Sequence, residues 1–163
     1  MSPLHSPHLE ALTVENAADA AVLHAKCFAR GWPVADFRRY AEDMGCYGLM
    51  ARLDKRAAAG FVIARTGGDE GEILTIATDP ALRRKGIARA LLSSTLEKLT
   101  GAEVTTFFLE VGVTNEAAIT LYKSLGFEPV GKRVDYYHHA NTSEDALIMR
   151  RMLRKYPQAH RRS

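Results

Sequence analysis

The stretch from Glu72 to Ala90, Glu-Ile-Leu-Thr-Ile-Ala-Thr-Asp-Pro-Ala-Leu-Arg-Arg-Lys-Gly-Ile-Ala-Arg-Ala, constrains the chain more than any other. Its apolar, β-branched beginning predicts a strand over Ile73 to Thr78, and Asp79-Pro80 must end it because proline has no N–H to give a ladder. From Ile87 onward, Ile87, Leu91, Leu92, Thr95, Leu96 and Leu99 share one stripe at a period of about 3.6, while Arg89, Glu97 and Lys98 fall off it; this predicts an amphipathic helix. The start of that helix works against its own stability. Arg83, Arg84 and Lys85 crowd the positive end of the helix dipole, where Asp or Glu would stabilise, and Gly86 costs up to about 1 kcal/mol against Ala in a helical turn. An anion at that end reverses the argument. Free N–H groups, a glycine that lets backbone approach a ligand and flanking cations together make a phosphate cradle. The competing reading is a solvated charge run, but placement between a strand and an amphipathic helix favours the cradle.

No G-x-x-x-x-G-K-[ST] and no G-x-G-x-x-G occurs, so the nucleotide loops built on those patterns are set aside. The motif present, Arg83-Arg84-Lys85-Gly86-Ile87-Ala88, resembles the Gln/Arg-x-x-Gly-x-Gly/Ala pyrophosphate-binding motif of the GNAT superfamily of acetyl-CoA-dependent N-acetyltransferases. Leu109-Glu110-Val111, Asn115 through Tyr122 to Phe127, Tyr136-Tyr137 and Glu144-Asp145-Ala146 are similar to the RimI-type ribosomal-protein-alanine N-acetyltransferases. The likeness spans residues 9 to 153. It implies acetyl-CoA as cofactor, cradled by Arg83, Arg84, Lys85, Gly86, Ile87, Ala88 and Arg89. It also implies that backbone groups of Ile76, Ala77 and Thr78 hold the cofactor arm where two strands splay.

At 163 residues, 25% charged and 47% hydrophobic, the chain reads as one soluble domain with a sizeable core. A net charge of +3 does not suggest a nucleic-acid binder, and a stable nucleic-acid partner is not expected. No apolar run approaches the roughly 20 residues of a membrane span, and the polar start lacks a signal-peptide core; a cytoplasmic protein, monomeric or weakly dimeric, is expected. Cys27 and Cys46 are too few for a disulfide scaffold or a four-ligand metal site, and Cys27 reads as a buried structural thiol. His138 and His139 have no partner at ligand spacing, so no metal is expected.

Residues 1–8 are expected to be disordered, and residues 154–163 form a basic tail read as flexible and solvated rather than as an RNA-contacting arm. Between them the pattern predicts a strand at Leu9 to Val14, a helix from Asn16 ended by Gly31, and a helix at Val34 to Met44 with Pro33 in its first turn. Strands at Tyr47 to Leu53 and Ala59 to Arg65 follow, joined by Asp54-Lys55-Arg56. After the central strand and helix come a strand at Val104 to Val111, a helix at Asn115 to Leu125 closed by Gly126, and strands at Phe127 to Val134 and Ala146 to Met152. The order argues for an α/β fold, a GNAT-like mixed, partly splayed sheet with helices on both faces.

Glu110 interrupts the apolar run Phe107-Phe108-Leu109-Glu110-Val111, and a carboxylate on a buried strand must be paired or line a cleft. Burial would raise its pKa and suit a general base, whereas a structural ion pair with an arginine is the alternative. Asn115 and Tyr122 lie about 20° apart on one helical face, so an amide for the pantetheine arm and a phenol for the thiol share it. The resemblance implies Glu110 as the proton acceptor, acting through water, and Tyr122 as the proton donor to the CoA thiolate, in direct attack by the amine. Trp32, with Tyr136 and Tyr137, is expected to wall an acceptor pocket, with a core role for Trp32 as the alternative. Two departures from the RimI pattern, Gly112 where arginine is usual and Trp32-Pro33 in place of Pro-Trp, bear on the acceptor side. The expected acceptor is the N-terminal amine of a protein, a ribosomal protein beginning with alanine; a small-molecule amine or lysine side chain is the alternative.

Overall fold

A computed structural model describes residues 6–54, 57–139 and 142–153, with backbone alone for 135–139 and 142–143. Seven strands form one mixed sheet in the order β1-β2-β3-β4-β5-β7-β6, accompanied by four α-helices among the described residues. The chain divides into two compact units, Met1–Arg65 with Ile73–Thr95, and Thr66–Glu72 with Leu96–Ser163.

The first unit holds β1 (His8–Ala11), α1 (Ala17–Cys27), α2 (Val34–Glu42), β2 (Cys46–Arg52), most of β3 (Ala58–Gly67) and of β4 (Glu70–Thr78), and the start of α3 (Ile87–Thr100). Antiparallel pairing of β2 with β3 sets Met50 opposite Phe61 and Leu49 opposite Val62. Side chains alternate along strands, so one face gathers Met50, Phe61 and Ile63 against Ala17, Ala20, Leu23 and Phe37 of α1 and α2. The other gathers Leu49, Ala51 and Val62 against Ile87 and Leu91 of α3. Helices therefore cover both faces of these strands. At Gly60 a Cβ would lie 2.8 Å from Ile87 Cγ2 and 2.9 Å from the Ala77 carbonyl oxygen, so this glycine lets α3 seat directly on the strand.

The second unit holds β5 (Thr106–Gly112), α4 (Glu116–Ser124), β6 (Glu128–His139) and β7 (Thr142–Met152). The parallel ladder of β4 with β5 includes Glu70↔Thr106, Gly71↔Phe107 and Glu72↔Phe108. β7 pairs antiparallel with the whole of β5 and with β6, whose register shifts between Pro129 and Gly131 and again between Arg133 and Tyr137.

The boundaries differ from expectation in several places, among them β4, which starts at Glu70 rather than Ile73, and β7, which starts at Thr142 rather than Ala146. β1 starts at His8, inside the segment expected to be disordered, and ends at Ala11, because Asn16 folds back to bond Thr13 N–H at 2.7 Å and the Ala11 carbonyl at 2.9 Å. α1 stops at Cys27 rather than near Gly31, since Phe28 turns extended and stacks on His24 at 4.3 Å. Pro33 is the N-cap of α2, not its first helical residue. β6 runs on to His139, past the expected end at Val134. The expected tail at 154–163 and turn residues Lys55 and Arg56 lie outside the described residues. Among the described residues no helix is long and apolar enough to cross a membrane.

Candidate active site

The basic loop makes a left-handed corner at the start of α3. Asp79 ends β4, accepts the Ala81 N–H at 2.9 Å and meets Lys26 Nζ at 3.4 Å; the Ala81 N–H first, then Lys26, hold its carboxyl below the usual range. A 3-10 turn, Pro80–Leu82, leads to an extended Arg83, after which Arg84 and Gly86 take positive φ, 65° and 79°. Arg84 is the strained member, since a side chain in the left-handed region costs about 1–2 kcal/mol. Gly86 is glycine for its backbone angle and not for space, because a Cβ there would meet nothing within 4 Å. Its carbonyl accepts the first α3 bond from Ala90 N–H at 3.0 Å, and the first turn of α3 contains no acid to neutralise the dipole. Arg83, Arg84, Lys85, Gly86 and Arg89 are all exposed, whereas Ile87 is buried as the anchor of the helix and Ala88 is intermediate. On β4, Ile76 and Thr78 are half-buried and Ala77 is buried. The Thr78 carbonyl accepts the Cys27 thiol at 3.4 Å.

Cys27 is half-buried rather than buried as expected. Burial pushes its thiol up, outweighing the nearby Arg83 and Lys26 cations, and burial likewise raises Cys46. Neither has the depressed pKa of a nucleophilic cysteine.

In the second unit the alternation of β5 resolves the puzzle posed by Glu110. Phe107, Leu109 and Val111 are buried, whereas Thr106, Phe108 and Glu110 occupy the opposite, half-exposed face. The Glu110 side chain is 24% exposed, so the premise of a buried carboxylate is not met, and its Oε1 is 2.6 Å from Arg133 Nε. The arginine pair that sequence reasoning held as the alternative is therefore present.

The turn after β5 is tied down by Val113 N–H to the Asp145 carbonyl at 3.1 Å and by the Thr114 hydroxyl to Glu144 at 2.6 Å. Asn115 then caps α4, its Oδ1 accepting Ala118 N–H at 3.2 Å. Being the N-cap, with φ −82° and ψ 73°, it lies outside the helical repeat, so the expected 20° relation to Tyr122 does not hold as a helical-wheel statement. Its carbonyl side is committed to the cap, and the amide NH₂ remains the donor end. The far end of α4 closes in a Schellman arrangement: Gly126 at φ 90°, its N–H on the Lys123 carbonyl, and Phe127 N–H on the Tyr122 carbonyl, both 3.0 Å. Tyr122 is 7% exposed and packs edge-on to Phe127, ring centroids 6.2 Å apart.

The sequence profile of the acetyltransferase (GNAT) family matches residues 17–127. The chain belongs to that family. This acetyltransferase is 36% identical over 130 residues to the ribosomal protein bS18-alanine N-acetyltransferase of Escherichia coli strain K12, covering 79% of this chain and 87% of that one. It is 37% identical over 146 residues to the N-alpha-acetyltransferase RimI of Mycobacterium tuberculosis H37Rv, covering 86% and 89%. Among solved structures, the E. coli ribosomal-protein-S18-alanine N-acetyltransferase superposes with a TM-score of 0.85 at 28% identity, over 94% of this chain and 98% of that one. The GNAT-like mixed α/β fold expected from the sequence is thereby confirmed.

Trp32 of this acetyltransferase is a half-buried member of the aromatic cluster of the first unit. It stacks on His24 at 4.8 Å, contacts Phe37 and Tyr40 at 5.8 Å each, and gives its backbone N–H to His24 Nδ1 at 3.2 Å. The core role weighed for it is thus real. The side chains of Tyr136 and Tyr137 lie outside the described residues. Sequence reasoning missed two residues. His24, only 2% exposed, was passed over because a lone histidine in an alanine-rich helix carries no signal of its aromatic surroundings. Arg133 was passed over because one cation among 22 has no address until strand register is known.

Proposed function

We propose that this acetyltransferase acetylates the α-amine of a protein N-terminus, that of a ribosomal protein beginning with alanine. The observation that carries this reading is the match to relatives named as alanine or N-alpha acetyltransferases along 79% and 86% of the chain. Acetyl-CoA supplies the acetyl thioester. Its pyrophosphate suits the exposed Arg83, Arg84, Lys85 and Arg89 around the left-handed turn at Gly86, with the N–H groups of Ile87 and Ala88 at the positive end of α3. Backbone groups of Ile76, Ala77 and Thr78 and the amide NH₂ of Asn115 hold the arm.

Glu110 takes the proton from the incoming amine through water, and the Tyr122 hydroxyl protonates the departing thiolate. The partial exposure of Glu110 suits a relay through water, and the near-complete burial of Tyr122 suits a proton held away from solvent. An α-amine has a reference pKa of about 8 against about 10.4 for lysine, so one carboxylate suffices for the former and is marginal for the latter. A peptide with a free alanine terminus should be acetylated, while the same peptide blocked at its terminus and carrying an internal lysine should not. Equal rates on both, or reaction only with polyamines and amino sugars, would replace the peptide reading with a small-amine one.

A further inference from the structure

We infer that Arg133 is a positioning residue for Glu110, delivered along a lane that Gly112 and Ala146 keep open and aimed by a bulge in β6. The inference rests on the reading of Glu110 as proton acceptor. Register places Gly112, Ala146 and Arg133 in one row across β5, β7 and β6, and Glu110, Ile148 and Gly131 in the row two residues away on the same face. With strands about 4.8 Å apart and residues about 3.4 Å apart along them, the Cα atoms of Arg133 and Glu110 are roughly 12 Å from each other. An ion pair across that span requires both side chains to extend over their row neighbours. Gly112 offers no side chain and Ala146 only a buried methyl, so the arginine crosses a row without bulk to reach Oε1 of Glu110 at 2.6 Å. This also gives Gly112 a physical role.

The bulge decides which residue makes the contact. From Pro129 to Gly131, β6 takes two steps while β7 takes one, from Met149 to Ile148. Without that extra residue, Lys132 would stand opposite Ala146 and Arg133 would face the other side of the sheet, since a one-residue slip exchanges the faces. Stability does not account for the device. The Arg133 side chain is 58% exposed, and exposed pairs contribute about 0–1 kcal/mol. Orientation does: a glutamate has three rotatable bonds, a planar guanidinium fixes the carboxylate it grips, and a misplacement of about 1 Å at a reacting group costs about a hundredfold in rate.

The test is steady-state kinetics on an alanine-terminated peptide with Arg133→Ala, Arg133→Lys, Glu110→Gln and the double variant Arg133→Ala/Glu110→Gln, with a crystal structure of Arg133→Ala. Arg133→Ala should lower kcat about tenfold to a hundredfold while the acetyl-CoA KM and Tm stay unchanged, and Arg133→Lys should recover part of the loss. In the Glu110→Gln background the arginine change should cost nothing more, because both act through one carboxylate. The crystal structure should show the Glu110 carboxylate displaced or spread over rotamers. A wild-type kcat in Arg133→Ala, losses that multiply in the double variant, or an unmoved carboxylate would overturn the inference. Full activity in Glu110→Gln would instead remove Glu110 as the base, with the crystal structure still deciding whether Arg133 positions it.

Discussion

Replacing Arg84 with glycine should make the ligand-free protein more stable and its complex with acetyl-CoA weaker. Arg84 sits at φ 65°, where an L side chain costs about 1–2 kcal/mol and glycine costs nothing, while glycine loses about 0.5–1 kcal/mol through the entropy of the unfolded chain. The side chain is exposed, so little packing goes with it, and removing a cation from the positive end of α3 returns a few tenths of a kcal/mol. The net gain is about 1 kcal/mol, or roughly 2–4 °C in Tm for a domain of this size. Losing one charge-assisted contact to pyrophosphate, about 1.5–3 kcal/mol, should weaken acetyl-CoA binding about tenfold to a hundredfold. At a ligand concentration of about 100 times the wild-type Kd, the wild type gains about 2.7 kcal/mol and a variant thirtyfold weaker only about 0.9, so the order of melting temperatures should invert. Differential scanning fluorimetry with and without acetyl-CoA, and calorimetric titration, measure both quantities. A ligand-free variant that melts lower, with unchanged affinity, would refute the idea that strain is held at Arg84 for the sake of an anion.

At Gly86, where φ is 79° and a Cβ meets open space, Gly86→Glu should cost about 1–2 kcal/mol in the ligand-free protein and abolish the acetyl-CoA-induced rise in Tm; equal affinity by calorimetry would end the cradle assignment. Tyr122→Phe and Glu110→Gln should each lower kcat by about 10² to 10⁴ with acetyl-CoA binding little changed, and full activity in either removes that residue from the chemistry. Since burial pushes both thiols up, replacing Cys27 and Cys46 with Ala should leave the chemical step nearly intact; an acetylated cysteine trapped by mass spectrometry would speak against it. Burial holds the His24 imidazole below its ordinary value, so the unfolded chain takes up its proton first as pH falls: the stability it contributes is complete above about 6.5 and is lost below that, toward the folded pKa. Denaturant titrations between pH 7.5 and about 5 should therefore show a steeper loss in wild type than in His24→Phe, and parallel curves would count against it.

The conformation of the basic loop was legible because its parts are local. A strand that proline must end, three cations against a helix dipole and a glycine all lie within a few residues, and the structure places them as a strand, a 3-10 turn, a left-handed corner and α3. The period of α3 was legible for the same reason, and Ile87, Leu91, Leu92, Thr95, Leu96 and Leu99 are all buried. The closure of α4 by Gly126 followed from one residue type at one position. What a neighbouring element supplies was harder to read. Trp32 could not be assigned between core and pocket wall without knowing that His24, Phe37 and Tyr40 surround it.

Glu110 shows where local reading stops. The apolar letters on either side of it suggested a buried strand, yet a strand has two faces, and Phe107, Leu109 and Val111 take the buried one while Glu110 shares the other with Phe108. Whether that second face is dry or wet depends on what crosses it, and here the crossing side chain comes from β6, more than twenty residues later in the chain. Its arrival depends on one extra residue between Pro129 and Gly131, in a segment where Glu-Pro-Val-Gly reads as a turn or a strand start with equal ease. A bulge leaves no reliable mark in composition, because what it changes is register, and register is a property of two strands at once. The basic loop and the carboxylate thus stand at opposite limits. The loop's conformation is written in residues that touch one another along the chain, and the carboxylate's ion pair is written in a pairing that only the folded sheet expresses.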